Sequence, residues 1–259
     1  MKGILICGGK GTRLLPLTKN THKSLLPVGG KPMVLYPLQV LLDAGIHEIM
    51  LITGPEFAGN FMQFLGSGAK FGCSFTYRIQ DEPKGIAQAL GMAESFADGK
   101  PVCALLGDNI FEDNLAEHIH AFREKGGSPS EARSAKGGHL FLKEVPDPER
   151  FGVATLRDAP LRGAPQGNSA VVTSLEEKPL NPKTNLAVTG CYLYDARCFE
   201  IIHSLKPSAR GELEITDVSR AYLEADELTA TVLRGAWIDA GTHESLQRAE
   251  NLVQKMFTR

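Results

Sequence analysis

Short apolar runs alternate with helical segments along the first part of the chain. The runs cover residues 3–7, 48–53, 73–79 and 102–106. A short, continuous apolar run is typical of a strand that is buried on both faces. Between the runs, apolar residues recur at helical spacing over 36–44, 55–65 and 86–96. This alternation predicts βαβ units, and therefore an α/β fold with a mixed, mostly parallel central sheet flanked by helices.

The sequence changes character after a helix predicted over residues 114–125. Residues 126–138 are rich in Gly and Ser and predict an exposed loop. Four strand candidates follow at 139–145, 151–156, 169–177 and 187–194, with a hairpin tip predicted at 158–168. Two amphipathic helices are predicted at 212–224 and 242–256, separated by strand candidates at 228–233 and 236–239. We therefore expect a single domain over 1–259 with two halves, at about 1–125 and about 138–259.

The composition argues against several classes of protein. The formal net charge of -2 gives no basic field of the kind that nucleic-acid-binding proteins carry. No apolar run reaches the roughly 18–20 residues of a membrane span, and the apolar run at the N-terminus is too short for a signal peptide. The five cysteines form no CxxC pair, which favours a reducing compartment over a disulfide framework. We expect a cytoplasmic protein that binds neither nucleic acid nor a membrane.

A glycine-rich loop follows the first predicted strand. Gly8, Gly9 and Gly11 would let backbone amides approach a phosphate closely, and Arg13 adds a two-pronged donor. The loop lacks the third glycine of the dinucleotide fingerprint and the Gly-Lys-Ser/Thr of the Walker motif. It predicts a phosphate site of another kind, with a plain strand-to-helix turn as the alternative. Lys10 adds a positive charge to which no role is assigned.

Three further charged residues lie beside predicted buried strands. Lys23 stands between apolar segments, so its ammonium either points into a cleft or is solvated at the surface. Asp108 follows the run at 102–106, and Asp239 follows a similar run before a predicted helix. Each aspartate alone could be a turn or cap residue. As a pair facing an anion-binding loop they favour Mg²⁺, which takes one or two carboxylates together with substrate phosphates.

An acid and a base stand side by side where another predicted strand ends. Glu177 could accept hydrogen bonds from hydroxyl groups while Lys178 holds a phosphate, and Arg210 is predicted near a helix N-terminus. A solvated charge cluster is the alternative. The sequence contains no nucleophile elbow and no His/Cys metal set. These features are typical of phosphoryl or nucleotidyl transfer by positioning and charge stabilisation.

Nine motifs follow one another from residue 1 to about residue 257. They are GGKGTRLLPLT, KSLLPVGGKPM, YPLQVLLDAGI, IQDEPKGIAQAL, LGDNIF, DPERFGVA, SLEEKPLNPKTNLAVTG, LKPSARGELEITD and AWIDAGTHESL. In this order they resemble the sugar-nucleotide pyrophosphorylases, most closely the glucose-1-phosphate thymidylyltransferases. The resemblance implies a Rossmann-like nucleotidyltransferase fold with a smaller sugar-binding lobe. The first half would bind the nucleotide, and the second would bind the sugar and the metal.

The resemblance also implies the reaction. Glucose-1-phosphate would attack the α-phosphorus of dTTP with the help of Mg²⁺, giving dTDP-glucose and pyrophosphate, in a homo-oligomer. The implied catalytic residues are Arg13, Lys23 and Lys178. The implied nucleotide-binding residues are Gly8, Gly11, Thr12, Arg13, Gln80, Gly85 and Asp108. The implied sugar-phosphate-binding residues are Gly152, Glu177, Lys178, Val188 and Arg210. The implied metal ligands are Asp108 and Asp239.

Two departures from the close family pattern bear on the substrates. Phe151 stands where close relatives carry Tyr, and Ser24 stands where they carry Gln. The same chemistry with UTP or another triphosphate, and with another sugar- or cyclitol-1-phosphate, therefore stays open. A non-catalytic sensor of nucleotide sugars is a further alternative. Such a protein could lose the metal carboxylates freely, whereas this chain contains both Asp108 and Asp239.

Overall fold

The computed structural model describes residues 1–124, 137–157 and 170–257. Its strands are β1 (Lys2–Cys7), β2 (Pro27–Val28), β3 (Lys31–Pro32), β4 (Glu48–Thr53), β5 (Ser74–Ile79), β6 (Val102–Leu106), β7 (Asn109–Phe111), β8 (Gly138–Glu144), β9 (Gly152–Arg157), β10 (Ala170–Glu177), β11 (Leu186–Tyr194), β12 (Leu228–Val232) and β13 (Trp237–Asp239). Its α-helices are α1 (Leu35–Asp43), α2 (Ala58–Leu65), α3 (Ile86–Gly91), α4 (Glu94–Ala97), α5 (Ala116–Glu124), α6 (Cys198–Ser204), α7 (Ile215–Glu224) and α8 (His243–Phe257). The hairpin tip predicted at 158–168 lies outside the described residues, as does the loop predicted at 126–138 except for its last two residues.

A nine-stranded sheet is the centre of the fold, in the order β5-β4-β1-β6-β11-β8-β12-β10-β9. The four strands from β5 to β6 are parallel, whereas β11 runs antiparallel to both β6 and β8. Strands β12 and β8 are parallel, and β10 pairs antiparallel with β12 and β9. The prediction of an α/β fold with a mixed sheet is confirmed. The division into two functional halves stays a prediction, although the sheet takes strands from both.

Strands β1, β4 and β6 of the sheet are buried on both faces, as the apolar runs predict. In β1, Ile4 and Ile6 belong to one core cluster, while Leu5 and Cys7 belong to another. Full burial of one such Ile or Leu side chain contributes roughly 1.5–3 kcal/mol to folding. Helix α1 packs in the second cluster, and helices α3, α6 and α7 pack in the first. With helices covering both faces, polar groups collect where the parallel strands end.

A third, smaller cluster attaches the last helix to the rest of the molecule. Val253 of α8 is buried with Val28 of β2 and Ile110 of β7. Strand β13 pairs antiparallel with β7, so the segment that enters α8 is held beside the end of β6. In the described part of the chain, none of the helices combines the length and the apolar character that a bilayer crossing needs.

Three local expectations are wrong, and one helix was not predicted. Strand β5 is not buried on both faces but alternates in exposure, because it lies at the edge of the sheet. The helix predicted at 86–96 is interrupted between α3 and α4. Helix α7 begins at Ile215 rather than at residue 212, with Glu214 as its N-cap. Helix α6 was not predicted, since it has only seven residues and buries only Cys198, Phe199 and Ile202.

Candidate active site

The glycine-rich loop leaves β1 in a conformation that suits glycine. Gly9 and Gly11 have φ angles of 84° and 62°, in the left-handed region. The hydroxyl of Thr18 donates a hydrogen bond to the Gly11 carbonyl at 2.8 Å. A short 3₁₀ turn over Thr12–Leu14 follows, in which Leu14 is buried while Thr12 and Arg13 are exposed. The loop is thus fixed from the protein side and open toward solvent.

Lys23 and Asp108 form a largely buried ion pair. The ammonium nitrogen of Lys23 lies 2.5 Å from Oδ2 of Asp108, and the two side chains are 18% and 7% exposed. The alternative of a solvated surface lysine therefore does not describe Lys23. Burial opposes charge on both groups, but their mutual attraction and hydrogen bond outweigh it. The pKa of Lys23 is raised and that of Asp108 is lowered, so both are charged at neutral pH.

His22 holds the turn that carries Lys23. Its Nδ1 accepts a hydrogen bond from the backbone N–H of Ser24 at 3.1 Å, which caps the 3₁₀ turn Lys23–Leu25. Burial and then the positive charge of Lys23 lower the pKa of His22 to about 4. The imidazole is therefore neutral at neutral pH. Because Nδ1 is the acceptor, the proton lies on Nε2.

Asp239 lies beside this ion pair. Strand pairing places it opposite Asn109, and the Ala240 N–H donates to the Asp108 carbonyl at 3.0 Å. Burial and the charge of Asp108 raise the pKa of Asp239 to about 6. Among the described residues, none donates a hydrogen bond to its carboxylate. Two adjacent carboxylates, one of them without a hydrogen-bond donor, are a set of oxygen ligands that suits a divalent cation.

Asn109 fixes the orientation of Asp108, a role that the sequence did not reveal. It is 1% exposed, and its Nδ2 donates to Oδ1 of Asp108 at 3.2 Å. Its Oδ1 accepts from the Gly190 N–H at 2.9 Å and from Nε1 of Trp237 at 2.7 Å. The Asp108 carboxylate is thereby tied to β11 and β13, two strands that come much later in the chain.

Arg13 reaches the segment that carries Asp239. A Cβ atom placed on Gly241 would lie 3.1 Å from Nη2 of Arg13 and 3.3 Å from Oδ1 of Asp239. The absence of a side chain at Gly241 lets the guanidinium approach. The glycine-rich loop therefore lies close to the two aspartates. The loop and Asp108 follow the parallel strands β1 and β6, as predicted, whereas Asp239 is the last residue of β13, which pairs with β7 in a separate two-stranded sheet.

A cavity of about 150 Å³ opens next to Asp239. The structure brings together there all five residues expected to hold the sugar phosphate, namely Gly152, Glu177, Lys178, Val188 and Arg210. Asp239 lines the same cavity. Phe151, one of the two departures from the family pattern, also lines it and packs against Trp237 with ring centroids 5.2 Å apart. Phe151 thus has a packing partner that needs no hydroxyl.

A left-handed backbone brings Glu177 and Lys178 to the same cavity. Neighbouring residues of a strand point to opposite faces, yet both side chains line this one. Strand β10 ends at Glu177, and Lys178 has a φ of 43°. The conformation is unusual for a residue other than glycine, and it clusters at functional sites in proteins.

Carboxylates surround Arg210. Its Nη2 lies 2.7 Å from Glu214 and 3.4 Å from Glu177, and Glu177 also accepts a hydrogen bond from Thr216. The expected place at a helix N-terminus is corrected, because α7 begins five residues later and Arg210 lies in the preceding turn. Arg210 instead reaches the helix through its bonds to the N-cap residue Glu214.

Gln80 and Gly85 lie at the other end of the cleft. Gln80 follows β5 and is 5% exposed, and a Cβ atom on Gly8 would lie 3.1 Å from its Oε1. Gly85 caps α3 with a φ of 106°, and a Cβ atom there would lie 2.3 Å from the Leu213 carbonyl oxygen. A side chain at this position is excluded by both conformation and space. Of these two residues expected to bind the nucleotide, Gln80 therefore lies against the glycine-rich loop, and the carbonyl oxygen of Gly85 lies 3.4 Å from the Gln80 amide nitrogen.

Comparison with known proteins identifies the family of this chain. A profile of the nucleotidyl transferase family matches residues 2–256. A glucose-1-phosphate thymidylyltransferase of Neisseria meningitidis is 46% identical over 98% of this chain and 83% of its own. The enzyme of the same name from Mycobacterium tuberculosis is 42% identical over 99% of this chain and 83% of its own.

Solved structures agree with the sequence comparison. A candidate glucose-1-phosphate thymidylyltransferase from Bacillus anthracis, solved with sucrose, has a TM-score of 0.86 at 46% identity and covers 98% of this chain and 95% of its own. A UDP-glucose pyrophosphorylase solved with UDP-glucose has a TM-score of 0.80 at 24% identity, with 98% of both chains covered, and shows the fold alone. The chain is a member of the nucleotidyl transferase family, among the relatives of the glucose-1-phosphate thymidylyltransferases.

Proposed function

We propose that this protein condenses glucose-1-phosphate with dTTP to give dTDP-glucose and pyrophosphate. The observation that carries the proposal is the position of Asp239 between two groups of cations. It lies beside the Lys23–Asp108 pair and close to Arg13, and it also lines the cavity that contains Lys178 and Arg210. Cations at both ends suit two phosphorylated reactants that meet in the middle. Full-length relatives at 42–46% identity carry the name of this activity.

The nucleotide would lie along the glycine-rich loop. Gly8 and Gly11 are partly exposed and Thr12 is exposed, and the amides around them would contact the triphosphate. Arg13 is exposed beside them and would neutralise the departing pyrophosphate. Gln80 and Gly85 would contact the base, and the ammonium of Lys23 would contact the phosphates around the α-phosphorus.

The sugar phosphate would occupy the cavity. Lys178 and Arg210 would hold its phosphate, with Arg210 exchanging part of its contact with Glu214 for the ligand. Glu177 would accept hydrogen bonds from sugar hydroxyls, and the backbone at Gly152 and Val188 would complete the contacts. Holding the two reactants in line converts a bimolecular step into an effectively unimolecular one.

In the reaction, a phosphate oxygen of the sugar phosphate forms a bond to the α-phosphorus. The bond from the α-phosphorus to the bridging oxygen breaks, and its electron pair leaves with pyrophosphate. The attacking oxygen is already anionic, so no general base is needed. This agrees with a site of positioned cations, and catalysis consists of orientation and charge stabilisation.

The metal ligands in this proposal are Asp108 and Asp239. Mg²⁺ held there would neutralise charge on the phosphate oxygens of the nucleotide. The described residues contain no group of three or more His, Cys, Asp or Glu side chains that could hold a metal. A pair of carboxylates leaves coordination positions for phosphate and water, which is typical of Mg²⁺.

A panel of nucleotides tests the proposed substrates. Pyrophosphate release is measured with glucose-1-phosphate and dTTP, UTP, ATP, CTP or GTP in turn. We expect the highest kcat/KM with dTTP. A preference for UTP or GTP would overturn the thymidylyl assignment while leaving the chemistry intact. Absence of release with every nucleotide, across several sugar phosphates, would favour the non-catalytic sensor.

Two other family expectations accompany this proposal. We expect a homo-oligomer, which light scattering on the purified protein tests directly. A reducing, cytoplasmic location stays a prediction, supported by the five cysteines, all of which have free thiols.

A further inference from the structure

A second glutamine holds the Gln80 side chain in place. The Gln80 amide nitrogen donates a hydrogen bond to Oε1 of Gln88 at 2.5 Å and lies 3.4 Å from the carbonyl oxygen of Gly85. A backbone carbonyl oxygen can only accept hydrogen bonds. The nitrogen of the Gln80 amide must therefore face this side, because the reverse orientation would place two oxygens against each other.

The other end of the same amide faces the glycine-rich loop. A Cβ atom on Gly8 would lie 3.1 Å from Oε1 of Gln80, so the oxygen borders the open space that glycine leaves there. Within the described ranges, no residue donates a hydrogen bond to this oxygen. With the nitrogen held, Oε1 presents an acceptor to a ligand in the cleft.

The start of α3 determines where Gln88 lies. Gly85 caps the helix, and the Ala89 N–H donates to the Gly85 carbonyl at 3.2 Å. The Ala87 N–H donates to the Leu213 carbonyl at 3.2 Å, which joins the first turn to the segment before α7. Gln88 lies in this first turn and is half-buried. Its contact with Gln80 is therefore set by the backbone.

We propose that Gln88 is a positioning residue for base specificity. By holding the Gln80 nitrogen, it keeps Oε1 turned to the cleft, so the site favours a base with an N–H at ring position 3. Thymine and uracil carry that N–H, whereas cytosine has a lone pair there and would set acceptor against acceptor. Sites that leave a buried polar group unpaired reject the wrong ligand strongly. The inference rests on the proposed function, in which Gln80 contacts the base.

The test compares dTTP with 5-methyl-dCTP, which keeps the methyl group and differs at ring positions 3 and 4. Gln88→Met removes the acceptor with little change in size, and Gln88→Glu retains an acceptor oxygen. We expect the wild-type kcat/KM ratio to favour dTTP by at least about 100-fold. Gln88→Met should narrow this ratio at least about tenfold, while Gln88→Glu should stay within about threefold of wild type. Gln88→Leu is a second acceptor-free variant, and thermal midpoints verify that each variant folds.

If the acceptor-free variants lost kcat/KM equally with both nucleotides, the inference would be overturned, because equal losses would indicate a purely structural role for Gln88. An unchanged ratio in Gln88→Met and Gln88→Leu would overturn it as well. Either result, with wild-type turnover of dTTP intact, leaves the proposed function standing. If the wild type turned over no nucleotide, the proposed function would fail. In that case, calorimetry would measure the ratio of the dissociation constants of the two nucleotides for the same variants. If neither nucleotide bound, the inference would be overturned too.

Discussion

Lys178 donates its backbone N–H to the carbonyl oxygen of Phe151 at 3.0 Å, at the point where β10 ends. The bond joins the left-handed residue to the start of β9, the neighbouring strand. Phe151, Glu177 and Lys178 all line one cavity. The cation that would hold the sugar phosphate is therefore positioned by the sheet itself.

Replacing Lys178 tests this position. Lys178→Ala should lower kcat/KM for nucleotide-sugar synthesis by about 10²–10³ or abolish turnover, because a preorganised charge at the reacting phosphate is lost. Lys183→Ala is the matched control. Lys183 pairs with Glu176 at 2.7 Å and is not among the residues that line the cavity. Near-normal synthesis by Lys178→Ala would contradict the role assigned to it.

The two aspartates should respond in opposite directions when each is replaced by asparagine. Asp239→Asn removes a carboxylate that is destabilised by burial and by Asp108. It should raise the free energy of unfolding at pH 7.5 by on the order of 1–3 kcal/mol. Asp108→Asn leaves the largely buried Lys23 without its partner, so it should lower that free energy. Both should abolish Mg²⁺-dependent turnover. Urea unfolding of the metal-free proteins gives the stabilities, and equal signs would refute the prediction.

The pH dependence of the Asp239→Asn effect follows from the same pKa. Folding raises the pKa of Asp239 from 3.8 to about 6, so the folded state binds its proton more tightly than the unfolded state. Stability from this group is fully present below the unfolded pKa and is lost as the pH rises through about 6. The free energy of unfolding by which Asp239→Asn exceeds the wild type should therefore shrink as the pH falls from 7.5 to 5. A constant advantage in urea titrations over this range would show that the Asp239 pKa is not raised.

Gly85 should tolerate no side chain. In Gly85→Ala, the new Cβ would lie 2.3 Å from the Leu213 carbonyl oxygen, and the φ of 106° would be strained. Gly99→Ala is the matched control, because Gly99 has a φ of 69° with nothing within 4 Å of a Cβ. We expect the free energy of unfolding to fall by about 1 kcal/mol in the control and by clearly more in Gly85→Ala. Equal melting temperatures for the two variants would contradict the close approach of Leu213.

Much of the fold follows from local sequence. The apolar runs predicted β1, β4 and β6 because burial on both faces leaves no polar positions. Helix α6 was not predicted, because its few buried residues give too little helical periodicity in the sequence. The edge position of β5 could not be read either, since strand order depends on pairing across the whole sheet.

The site residues divide in a similar way. The pairing of Asp108 with Asp239 was predictable because each comes after a run of apolar residues, and the pairing of β7 with β13 brings the two together. Asn109 was missed because its partners, Gly190 and Trp237, are distant in sequence. Glu177 and Lys178 line the same cavity, and Lys178 has a positive φ. The sequence does not indicate this conformation, because a positive φ is uncommon for residues other than glycine.

We infer that this cleft joins a thymidylyl group to glucose-1-phosphate. The most direct measurement is anion-exchange chromatography of dTTP and glucose-1-phosphate incubated with the protein, with Mg²⁺ or with a chelator. We predict dTDP-glucose and pyrophosphate in equal amounts with Mg²⁺, and neither product with the chelator or with Lys178→Ala. Unchanged dTTP in the presence of Mg²⁺ and wild-type protein would contradict the claim.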